Sequence, residues 1–131
     1  QRWIAKDGPI DLGANVPAAD SGVVAAALAQ IGKPYGWGAT GPDAFDCSGL
    51  MVWAYGQNGK GIPRTSQAQL AGGTPVSMDQ LQPGDIIGYY PGVTHVAMYI
   101  GDGMVVHASD YGIPVQVVPV NSMPAQGAVR Y

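Results

Sequence analysis

The chain has 131 residues, room for one domain with one core. Hydrophobic residues make up 47% of it and charged residues only 11%, against roughly 25% in an average globular protein. The net charge of -3 includes six Lys and Arg, which excludes the clustered positive charge that nucleic-acid binding needs. One cysteine, Cys47, excludes an internal disulfide framework and the paired cysteines of a structural zinc site. The longest apolar stretch, "GVVAAALAQIG", is shorter than the roughly 18 residues of a membrane span.

The chain opens on "QRW" with no initiator Met, as expected of a processed form or an excised domain. Residues 1–19 show no sustained period and carry two Pro and two Gly among their Gly-Pro-Ile and Val-Pro-Ala steps. They read as an arm or linker preceding a domain of residues 20–131. Trp3, Ile4, Ile10 and Leu12 let such an arm pack along the domain body, or cover its site. A helix follows, capped by Asp20 or Ser21, with Val23, Val24, Ala27, Leu28 and Ile31 at helical spacing and Gly32 to end it. "KPYGWGATGPDAF" is a loop that presents Tyr35 and Trp37.

A second helix is expected from Asp46 to about Gln57, with Leu50, Met51, Trp53 and Ala54 as its apolar face and Gly56 or Gly59 as its stop. Asp46 is its N-cap, which puts Cys47 in the first turn. A lone cysteine is as a rule a small buried hydrophobe. Asp46-Cys47-Ser48-Gly49 is instead a polar, cap-like setting. A helix start offers partial positive charge and free N–H groups, which lower a thiol's pKa from about 8.5 and can hold an oxyanion.

"PRTSQAQLAGG" predicts a short helix capped by Thr65 or Ser66. "LQPGDIIGYY" predicts a turn feeding a strand, with Asp85 structural, and "THVAMYI" and "MVVHAS" two strands joined by Gly101-Asp102-Gly103. "IPVQVVPV" and "AVRY" supply further strands. Helices first and strands later, without βαβ alternation, argue an α+β fold with an antiparallel sheet.

A nucleophilic cysteine needs a base, and the chain has two histidines, His95 and His107. A three-residue "GDG" connection pairs Ile100 with Met104 and His107 with Ala97. The histidines then become diagonal neighbours on one face, roughly 7–8 Å apart at the backbone. A two-residue loop would put them on opposite faces. On the first register His95 is the base and His107 the group that orients it. Cys, His and His is also a legitimate zinc set, but their separations match no common zinc spacing.

"YGWG", "FDCSGL", "PRTSQAQ", "LQPGDIIGY", "HVAMYIGDG" and "VVHAS" occur in the order seen in the NlpC-type cell-wall cysteine peptidases, and roughly residues 23–131 resemble that family, most of all its secreted actinobacterial members. The resemblance implies a papain-like α+β fold. It makes Cys47 the nucleophile, His95 the base and His107 the third polar residue. It gives Tyr35 an oxyanion role beside the Cys47 N–H. It places Asp46 and Ser48 along the substrate-binding groove and Arg64 near the site. Trp37 reads as a wall of the cleft or a core aromatic, and the paired N–H groups of Arg64 are suited to a substrate carboxylate. It implies a secreted, monomeric, wall-associated enzyme without cofactor or metal. Its substrates are peptidoglycan stem peptides, cut between D-γ-glutamyl and meso-diaminopimelate. An amidase or acyltransferase on the same fold, and a wall-binding module without catalysis, are the competing readings.

Overall fold

A computed structural model describes residues 2–5, 8–11 and 18–131. Near the start, β1 (Arg2–Ala5) and β2 (Gly8–Asp11) pair antiparallel, from Arg2 opposite Asp11 to Ala5 opposite Gly8. This hairpin was not foreseen in a segment without a sustained period. The expected packing of Trp3, Ile4, Ile10 and Leu12 falls outside the described residues and side chains.

Helix α1 runs Ala18–Leu28, so Asp20 and Ser21 sit inside it rather than before it. Its Val23, Val24, Ala27 and Leu28 are buried in the core. Beyond it Gly32 takes φ +93 and donates its N–H to the Val115 carbonyl at 2.9 Å, which ties the helix exit to a distant loop.

Helix α2 runs Cys47–Gly56, capped by Asp46, whose side chain accepts from the Gly49 N–H. Leu50, Met51, Ala54 and Tyr55 bury its inner face, while Trp53 is only half-buried. Gly59 (φ +78) closes the helix: its N–H donates to the Gly56 carbonyl and that of Lys60 to the Tyr55 carbonyl. Helix α3, Ser66–Gly72, is capped by Thr65 through the Ala68 N–H.

The remaining strands are β3 (Thr74–Val76), β4 (Ile86–Tyr89), β5 (His95–Gly101), β6 (Met104–His107), β7 (Gln116–Pro119) and β8 (Ala125–Arg130). They form one antiparallel sheet in the order β3-β8-β4-β5-β6-β7. The short β3 was not foreseen from the sequence. The last strand inserts between β3 and β4. Asp85 holds that insertion: both its oxygens accept from Arg130, at 2.8 and 2.9 Å, and Oδ2 also accepts from the Gln82 N–H.

Side chains alternate across the sheet. Val96, Met98, Ile100 and Val106 pack under the helices with Leu50, Met51 and Phe45. Ile87, Tyr89, Ala97, Val105 and Ala128 form a second, smaller cluster. Helix α2 lies against both α1 and β5, so its first turn is brought to the start of the strand that begins with His95.

The hairpin between β5 and β6 corrects the expected loop. Its turn has two residues, Asp102 (φ 55) and Gly103 (φ 74), and Gly101 rather than Ile100 pairs with Met104. Two left-handed residues match the twist of a tight hairpin. A bulge between Tyr99 and Gly101 then absorbs one residue, so Tyr99 pairs with Val105 and Met98 with Val106. The bulge undoes the change of parity, and the histidines meet as the longer loop would have had them meet.

Candidate active site

Asp46 organises the site. Its Oδ1 accepts from the Gly49 N–H at 2.6 Å and from Ser48 Oγ at 3.4 Å. Its Oδ2 accepts from the Gly38 N–H at 3.0 Å and from Arg64 Nη2 at 2.7 Å. Arg64 Nη1 donates to Ser48 Oγ, also at 2.7 Å. One buried carboxylate thus caps α2, holds the loop that carries Tyr35 and Trp37, and fixes Arg64. The paired N–H groups of Arg64, expected to face a substrate carboxylate, are turned onto Asp46 and Ser48 instead.

Gly49 explains the small third residue of "CSG". A Cβ there would run into the Ala39 carbonyl and stand 2.7 Å from Asp46 Oδ1. The 36–45 loop therefore lies directly on the first turn of α2, with the Asp46 N–H donating to the Ala39 carbonyl at 2.9 Å.

Cys47 is a free, half-buried thiol. The backbone N–H groups of Val96, Ser48 and Cys47 itself pull its pKa down, but burial is the largest influence and Asp46 adds to it, so the thiol is pushed up. The helix start alone had suggested the opposite direction. His95 and His107 are buried at 7% and 4% exposure. His95 Nε2 and His107 Nδ1 stand 2.7 Å apart. Burial, and then the neighbouring His107, push His95 down to about 4; burial alone pushes His107 down to about 4. At neutral pH the site therefore holds a neutral thiol beside two neutral imidazoles.

A cleft of about 690 Å³ brings Cys47 and His95 together with Tyr35, Trp37, Asp46, Ser48 and Arg64. His107 does not line this cleft, and its Nδ1 stands against the Nε2 of His95, which does. Tyr35 is raised by burial and then by the nearby Cys47, so its hydroxyl keeps its proton as a donor. Trp37 is 81% exposed and belongs to the cleft rim, not the core. Tyr111 went unnoticed in the sequence: its ring meets that of Tyr35 edge-on at 4.9 Å, and its hydroxyl accepts the Trp37 N–H at 3.0 Å. The only available signal was its place four residues after a candidate catalytic histidine. Among the described residues no three His, Cys, Asp or Glu side chains converge as a metal site requires.

Helices preceding an antiparallel sheet, with a cysteine opening the helix packed against it, are the arrangement of a papain-like fold. Residues 32–129 match the NlpC/P60 family. A probable endopeptidase of Corynebacterium glutamicum (strain R) is 54% identical over 127 residues, covering 95% of this chain and 60% of that protein. The NlpC/p60 domain of the peptidoglycan hydrolase SagA superposes with a TM-score of 0.78 at 36% identity, covering 86% of this chain and 98% of that one. The peptidoglycan hydrolase RipB of Mycobacterium tuberculosis gives 0.76 at 33% identity, covering 88% and 68%. The chain belongs to the NlpC/P60 family. It spans 60% of the length of the corynebacterial relative.

Proposed function

We propose that this domain is a cell-wall D,L-endopeptidase that cleaves the D-γ-glutamyl–meso-diaminopimelate bond of peptidoglycan stem peptides. The observation that carries the reading is a half-buried thiol sharing one cleft with a histidine whose far nitrogen is held by a second histidine at 2.7 Å. The peptidoglycan hydrolases among its structural relatives supply the substrate class. Wall action places the enzyme outside the cytoplasm, and among the described residues no helix is long and apolar enough to cross a membrane.

His95 Nε2 is committed to His107, which leaves Nδ1 to serve Cys47. Because the resting pair is neutral, the thiol proton moves to His95 as sulfur bonds to the γ-carbonyl carbon. The Cys47 N–H and the Tyr35 hydroxyl hold the oxyanion. Collapse breaks the C–N bond, and His95 hands its proton to the leaving amine. A water then gives a proton to His95 as its oxygen attacks the thioester; the C–S bond breaks, His95 returns that proton to the sulfur, and the acid leaves as the γ-carboxylate with its own proton lost to solvent. His107 accepts from His95 Nε2–H throughout and keeps the ring oriented.

The test is mass spectrometry of purified muropeptides after incubation with the chain, with and without EDTA. The expected products are cut at the γ-glutamyl bond in both conditions, with little action on ordinary proteins. Cys47→Ala should remain folded and lose turnover by several orders of magnitude. Equal digestion by that variant, cutting at the sugar–L-Ala amide, or activity abolished by chelation and restored by zinc would each overturn the assignment.

A further inference from the structure

A second cavity, of about 360 Å³, shares Thr94, His95 and Ser109 with the main cleft but does not include Cys47. Past His95 it continues to Tyr90, Ile113 and Met123, and its one carboxylate is Asp110. Tyr90 and Ile113 are each 40% exposed, so an apolar rim stands open to solvent there.

Asp110 is held in place rather than loose. Its carbonyl accepts the Ile113 N–H at 3.2 Å, and the turn between them passes through Gly112 at φ +80. Its Oδ1 accepts the Tyr111 N–H at 2.7 Å. Its Oδ2 has no partner among the described residues.

The reaction gives this cavity a direction. The acyl part of the substrate bonds to Cys47, within the cleft walled by Tyr35, Asp46 and Ser48. The leaving amine takes its proton from His95, so its remaining atoms lie on the His95 side of the broken bond. A cavity that contains His95 and Ser109 but not the nucleophile is where those atoms have room.

We propose that this cavity is the leaving-group subsite, that Asp110 selects a leaving residue whose side chain carries an ammonium group, and that Tyr90, Ile113 and Met123 pack on that residue's methylene chain. The inference rests on the endopeptidase reading above and adds the residue that discriminates the leaving side. A fixed carboxylate with a spare oxygen pairs with an ammonium group.

The test uses two leaving-group amines of one shape, L-lysinamide and L-norleucinamide, which differ in the side-chain ammonium. They are titrated by NMR into the full chain carrying Cys47→Ala, with and without Asp110→Asn. Lysinamide should shift the amides of Asp110, Gly112 and Ile113 and bind about fivefold tighter than norleucinamide. Asp110→Asn should make the two affinities equal. No shift at the Asp110 turn, equal affinity in the Asp110 chain, or a preference that survives Asp110→Asn would overturn the proposal. The measurement involves no turnover. A wild-type chain that leaves muropeptides uncut while lysinamide still binds through Asp110 would sink the endopeptidase reading alone.

Discussion

At the residue scale the two histidines differ in what each touches. His95 lines the cleft with Cys47, whereas His107 lies off that wall with its Nδ1 against His95 Nε2. In the proposed mechanism His95 is the base, and removing it removes proton transfer, an effect of about 10²–10⁴-fold. Removing the partner leaves the base present but free to turn. His95→Ala should therefore lower kcat more than His107→Ala, with KM little changed in the second variant. His107→Asn, whose side-chain carbonyl can accept from His95 Nε2–H, should recover part of the loss. A His107→Ala loss as large as that of His95→Ala, with no recovery by Asn, would show that His107 takes a direct part in proton transfer. The directions of the pKa shifts fit a base that starts neutral: a buried imidazole at about 4 is available to accept a proton across the neutral range.

At the scale of the element, the start of α2 concentrates the constraints. Replacing a mid-helix Gly by Ala normally stabilises by up to about 1 kcal/mol. Gly49 should show the reverse sign, since a Cβ there meets the Ala39 carbonyl and the Asp46 carboxylate. Overpacking of this kind costs about 1–3 kcal/mol. Gly49→Ala should lower the denaturant midpoint and also the activity, because the loop bearing Tyr35 and Trp37 is pushed off the helix. Gly56, at the other end of the same helix, has nothing within 4 Å of a built Cβ, so Gly56→Ala is the control and should be neutral or stabilising. Equal midpoints for the two variants would refute the close approach.

At the scale of the whole molecule, the buried histidines make folding depend on pH. Both titrate near 4 in the folded chain, against an ordinary value of 6.5. Between those values the unfolded chain binds more protons than the folded one, so stability rises with pH. The contribution is fully present above about 6.5 and is lost as pH falls toward 4. The thermal midpoint should drop from pH 7 to pH 5, and the double variant His95→Ala, His107→Ala should flatten that slope. A wild-type midpoint unchanged across this range would contradict the burial of neutral imidazoles.

Local interactions were legible in the sequence. The Asp46 cap, Cys47 in the first turn of α2, the Thr65 cap of α3 and strands β4 to β6 all follow from spacing over a few residues, where cap chemistry and periodicity act. The meeting of His95 and His107 was also expected, although through the wrong loop. A turn and a bulge offset one another in register, and composition does not distinguish that pair from one longer loop. Other features depend on residues far apart in the chain. The insertion of β8 between β3 and β4 needs Arg130 to reach Asp85 across 45 positions. Arg64 turns inward because α3's approach brings it to Asp46, and Tyr111 joins the site from a loop 74 residues after Trp37. Tertiary burial likewise decided the direction of the pKa shifts of the thiol and both histidines. A helix start by itself lowers a thiol's pKa, but the packing of the sheet against that start removes water, and the loss of water outweighs the nearby N–H groups.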